Sequence, residues 1–90
     1  MDYSALESDF ECACDDVIKN LGNQYKTGYQ SGGLGMLEAF FDLIKSEFDK
    51  AAQLFIQSNN ISENPDALKL IHTIAKKHAK KCVEFYGRVV

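Results

Sequence analysis

The sequence predicts an all-α fold: a small three-helix bundle running up, down and up. Three observations predict it. Three long stretches carry apolar residues at steps of three and four. The chain has one proline in 90 residues and few β-branched runs, which favours helix over strand. Between the stretches lie only a Gly32-Gly33 breaker and a loop opening with Ser58-Asn59-Asn60, and short connections pack consecutive helices as antiparallel neighbours.

The first helix is expected to begin near Ser4. Ser4-Ala5-Leu6-Glu7 fits a capping box, in which the serine oxygen and the glutamate each satisfy a free amide. Leu6, Phe10, Cys14, Val17, Leu21 and Tyr25 then recur at steps of four and three, forming one apolar stripe with acids on the other faces. The helix is expected to run to about residue 30, bent at Gly22, since a glycine inside a helix costs only about 1 kcal/mol. The alternative is a cap at Asn20-Leu21-Gly22-Asn23, followed by a short extra helix over 24–31.

The second helix, expected from about Leu34 to Ser58, is the most apolar stretch and the one the others should pack on. Leu37, Phe40, Phe41, Ile44, Phe48, Ala51 and Phe55 fall within an arc of about 100° at 100° per residue. Met36, Leu43 and Leu54 widen that face to about half the circumference, which suits a helix with two neighbours.

Ile61 is expected to tuck inward from the following loop. Asn64-Pro65-Asp66 reads as a helix start: an N-cap, proline at the first position and an acid in the first turn. Leu68, Ile71, Ala75, His78, Cys82, Phe85 and Val89 form a heptad-like seam on the third helix. Gly87 marks its expected end.

Size and composition bound the function. The length implies one domain over residues 1–90. The hydrophobic share of 46% and charged share of 26% are those of an ordinary globular protein. A net charge of −3 argues against nucleic-acid binding, which needs a concentrated positive surface. No secretory leader and no membrane-spanning run is visible. Three cysteines without secretory context suit reduced thiols in the cytoplasm.

Charge is segregated along the chain. Asp2, Glu7, Asp9, Glu11, Asp15 and Asp16 occupy the first sixteen positions with no base. Lys69, Lys76, Lys77, Lys80, Lys81 and Arg88 dominate the last helix. Helix-dipole preference accounts for this in part; contact between the two ends, or with a charged partner, is the sharper expectation.

Few features point to chemistry. His78 and Cys82, four apart, share a helical face and could supply two metal ligands, with Cys14 as a candidate third. Cys12 and Cys14 point about 160° apart on a helix, so they cannot both join such a site. The pattern lacks a second chelating pair, and no metal or other cofactor is expected. His78 reads first as a core histidine bonded to a neighbour. A thiol enzyme would need a base, an orienting group and an oxyanion donor together, and the sequence does not assemble them.

Lys76, Lys77, Lys80 and Lys81 cluster away from the seam as a solvated face or a docking patch for an acidic partner. Gly28 and Gly32, four apart, would leave a strip where another helix backbone approaches closely. The run Gly28-Tyr29-Gln30-Ser31-Gly32 resembles one unit of the glycine-every-fourth-residue repeats of a family of adaptor proteins. The likeness covers five residues, Gly22 and Gly35 break its period, and no function is carried over from it.

Met36, Phe40, Phe41 and Leu43 would form a partner site wherever the wide face of the second helix is left uncovered. The sequence therefore points to a non-enzymatic protein–protein interaction module, a helical adaptor or subunit that self-associates or docks on another protein. The alternatives are a carrier of small apolar ligands or lipids, and a metal or thiol site at His78 and Cys82. Membrane-surface contact is disfavoured by Glu38 and Asp42 on the polar face of the second helix.

Overall fold

A computed structural model describes residues 2–29 and 33–89. It has three helices: α1 (Tyr3–Gln24), α2 (Gly33–Ser58) and α3 (Pro65–Val89), with a π-helical turn (Tyr25–Tyr29) continuing α1. No strand occurs among the described residues. The three-helix bundle read from the sequence is the fold observed. It is a rod of 45 × 17 × 17 Å.

Contacts between side chains distant in sequence give the topology. Phe10 meets Phe55, and Tyr25 meets Phe40, so α1 and α2 run antiparallel. Phe48 stacks on His78, and Phe41 approaches Gly87, so α3 reverses again. Asn64 reaches the Tyr3 hydroxyl and His78 reaches Glu11, so α1 and α3 run parallel.

The ends of the helices refine the expectations. Asp2, rather than Ser4, caps α1: its Oδ1 accepts from the amides of Ser4 and Ala5 at 3.0 and 3.2 Å. An aspartate cap satisfies orphan amides as a serine does, so the helix starts two residues earlier than the capping box implied. Gly22 does not interrupt α1. A side chain there would come 3.6 Å from the Tyr86 hydroxyl.

The separate short helix does not form. The chain instead widens into one π turn, where the Thr27 hydroxyl donates to the carbonyls of Asn23 and Gln24 at 3.1 and 3.2 Å. Such back-bonding competes with the regular ladder. The turn holds Tyr25 and Tyr29 each 5.1 Å from the Phe40 ring.

The end of α2 is a Schellman motif. The Ile61 amide donates to Ile56 and the Asn60 amide to Gln57, with Asn60 left-handed at φ 55°. Ile61 is buried, as expected, completing the apolar contact that accompanies this cap. Asn64 caps α3, accepting from the Ala67 amide at 3.1 Å. Gly87 does not end that helix, which continues to Val89.

The core stripes drift from those expected. On α2, Ala52 and Ile56 are buried while Ala51 and Phe55 are only half-buried. On α3, Ala67, Ile71, Ile74, His78 and Cys82 face inward, but Phe85 is 61% exposed and Tyr86 takes its place against the core. A straight helix repeats every 3.6 residues, so a seam read with a seven-residue period slips by about 20° per heptad. Leu54, assigned to the flank of the apolar face, is 58% exposed.

Candidate interaction groove

Two grooves run along α3, one on each side. The larger, about 590 Å³, lies between α2 and α3. Its floor is Phe48, Ala75, Ala79 and Val83. Its rim is Lys45 and Asp49 from α2, and Lys76, Lys80 and Glu84 from α3. The smaller, about 280 Å³, lies on the α1 side and is lined by Ile18, His78, Lys81, Cys82, Phe85 and Tyr86.

The floor of the larger groove follows from residue size. Ala75, Ala79 and Val83 are spaced by four along α3, so they share one face. Small side chains there leave a channel where larger ones would have filled it. The long side chains at the rim keep their charges in water.

The lysine cluster is divided by this geometry. All four lysines are exposed. Lys76 and Lys80 edge the larger groove, Lys81 lines the smaller, and Lys77 lies 3.7 Å from Glu11. Glu11 is thus the α1 acid that draws on the α3 bases. The other rim charges make no ion pair with a described residue.

The surface set proposed on α2 is divided too. Phe40 is a correction: it is fully buried among Tyr25, Tyr29 and Tyr86, so no partner reaches it. The reason is that α1 and α3 together cover the centre of the wide α2 face. Phe41 and Leu43 are half-buried against the core, and Met36 remains at the surface with 36% exposure. Gly28 is exposed, with open space where a side chain would project. Gly32 lies outside the described residues.

His78 is buried and bonded to a neighbour, as its place on the seam suggested. Its Nε2 donates to Glu11 Oε2 at 2.7 Å, and its ring stacks on Phe48. Glu11 could not be picked out in the sequence, because it lies 67 positions away on the polar side of the α1 stripe. Partial burial acts to raise its carboxyl. The hydrogen bond and charge of His78, followed by Lys77, outweigh this and hold it below the ordinary 4.5.

The two buried thiols, Cys14 and Cys82, are poorly suited to nucleophilic work. Burial, reinforced by Glu11 and Asp15, pushes Cys14 up to about 12, and burial pushes Cys82 up as well. A reactive thiol needs the opposite shift. Among the described residues, no three His, Cys, Asp or Glu side chains are placed to hold a metal ion.

All three cysteines are free, and Cys12 is exposed while Cys14 and Cys82 are buried. Iodoacetamide at neutral pH should therefore modify Cys12 alone in the native protein, and all three in denaturant. Intact-mass measurement checks this; rapid native labelling of a second thiol would contradict the burial.

No helix among the described residues is long and apolar enough to cross a membrane. No family model, no curated protein and no solved structure matches this chain. The reading of function rests on the geometry alone.

Proposed function

We propose that this chain is a non-enzymatic protein–protein interaction module, a small helical bundle that offers the α2–α3 groove to another helix. The observation that carries the reading is the groove itself: Ala79 and Val83 are partly exposed in it above the buried Phe48 and Ala75, and five charged side chains that pair with nothing described border it. An apolar channel with a charged rim suits helix-in-groove recognition, where the floor contributes affinity and the rim sets register.

The raised thiols weigh against the thiol alternative, because the shift opposes thiolate formation. Free cysteines suit a reducing compartment, which supports a cytoplasmic reading.

Capture from a native lysate tests the reading, using the wild-type chain and Ala79→Arg as paired baits. A long charged side chain on the floor should block a docking helix; Ala79 is half-buried against the core, so circular dichroism verifies the fold of the variant. Proteins retained by the wild type and lost by the variant are the expected result. Identical capture by both baits would contradict the groove as the docking surface.

A further inference from the structure

We propose that Glu11 and His78 form a proton-responsive latch between α1 and α3, in which the carboxylate is the counter-ion of an imidazolium held inside the bundle. The latch faces α1 and needs no docking partner to operate. His78 is 9% exposed, and its ring stacks on Phe48 of α2 with centroids 6.2 Å apart. Its Nε2 lies 2.7 Å from Glu11 Oε2, so the contact crosses from the middle of α3 to the middle of α1. A buried imidazole that takes up a proton needs a partner for the charge.

The groups around the ring leave that role to Glu11. On α3 the charged neighbours are cations: Lys77 lies 3.7 Å from Glu11 Oε1, and Lys81 lines the smaller groove beside His78. Cys82 lines the same groove, and Cys14 faces it from α1. Both thiols stay neutral in acid, because burial pushes them up. From α2 the facing side chain is the Phe48 ring, with Lys45 and Asp49 beyond it at the rim of the larger groove. Asp15, one turn along α1 from Glu11, is exposed. Glu11 is the acid that His78 touches.

The latch has two thresholds. As pH falls through about 6.5, the range of an ordinary imidazole, a proton arriving on His78 meets the Glu11 carboxylate and the seam holds. Burial works against that carboxylate; the hydrogen bond and charge of His78, then Lys77, outweigh it and hold it below 4.5. A carboxyl held lower in the folded chain contributes stability that is whole above 4.5 and is lost as pH falls through the lowered value. Once Glu11 is neutral, the imidazolium is left in the core without a counter-ion, which favours opening of α1 from α3.

The test compares urea midpoints of the wild type and Glu11→Gln, followed by circular dichroism, from about pH 8 to about pH 3.5. Glutamine still accepts the His78 hydrogen bond but carries no charge. Subtracting the two profiles cancels the groups they share. The wild-type advantage should grow as pH falls from about 7 to about 5, by at least about tenfold in the folding equilibrium constant, because the imidazolium of the variant has lost its counter-ion. It should shrink again below 4.5, where Glu11 itself is neutralised. Lys77 keeps its charge over this whole range and produces neither change. In a His78→Gln background, or His78→Leu where glutamine does not fold there, the difference made by Glu11→Gln should stay flat between about pH 7 and about pH 5.

An advantage equal at both ends of that interval in the wild-type background would overturn the latch and reduce Glu11 to a hydrogen-bond acceptor. Growth that persists once His78 is replaced would overturn it too, by assigning the proton to another group.

Discussion

Replacing Phe40 with alanine should cost about 3–5 kcal/mol, the range for emptying a fully buried phenylalanine site. Phe40 has no exposed surface and touches Tyr25, Tyr29 and Tyr86 at centroid distances of 5.1, 5.1 and 4.7 Å. Those partners come from the π turn and from α3, so one ring holds all three segments together at that end of the rod. Relaxation cannot close the gap cheaply, because Tyr25 and Tyr86 are themselves packed tilted against each other, and Tyr86 edge-on against Phe85. A domain of this size has a total stability of roughly 5–13 kcal/mol. The variant should therefore lose a large fraction of its stability, with a lower urea midpoint. Urea denaturation followed by circular dichroism measures this. A loss below about 1 kcal/mol would mean the aromatic cluster is not packed as described.

The second large effect is alkaline. Cys14 is completely buried, and its thiol is pushed from 9.0 to about 12. The sign follows from linkage. In the unfolded chain the thiol ionises near pH 9, while in the folded chain it stays neutral until about 12. Stability is therefore undiminished below pH 9 and falls between these values, by up to about 4 kcal/mol at the alkaline limit. Cys82 and Tyr86 are raised by burial too and act in the same direction.

Cys14→Ala isolates the contribution. It should be somewhat less stable than wild type at pH 7, because a buried sulfur is lost. Its stability should fall less steeply between pH 9 and pH 11. Urea midpoints across that range check it; parallel curves for the two proteins would place Cys14 outside the core.

Much of the architecture was legible because helical amphipathicity is local. The stripes from Leu6 to Tyr25, from Leu37 to Phe48 and from Ile71 to Cys82 are visible without knowledge of their neighbours. The Asn64-Pro65 start is written in adjacent residues. What escaped was whatever depends on accumulated phase or on distance. Phe55 moved to the edge of the core and Phe85 left it, because a small error in period grows along a helix of more than twenty residues. The π turn has no sequence period of its own; it coincides with Thr27 back-bonding to Asn23 and Gln24 and with the packing of Tyr25 and Tyr29 on Phe40.

The candidate site was less legible. The lysines were evident as a cluster, but their division between two grooves depends on how α3 sits between α1 and α2. Ala75 was read as a core position, and its role in the floor of a channel emerges only with Ala79 and Val83 beside Phe48. Glu11 was one acid among six until the parallel packing of α1 and α3 brought it to His78. Phe40 was offered to a partner because a helix face half apolar cannot, from sequence alone, be divided into its covered and uncovered parts.

The most direct test of the groove is a methyl NMR spectrum recorded from tens of micromolar to about millimolar protein, a span that brackets weak association. The account expects a docking helix from a second copy to shift the methyl resonances of Ala75, Ala79 and Val83 together with concentration. That of Ala5, exposed on α1, should stay fixed. Groove methyls that do not move, or shifts confined to α1, would contradict self-association through the groove and leave docking of a different protein to the Ala79→Arg capture test.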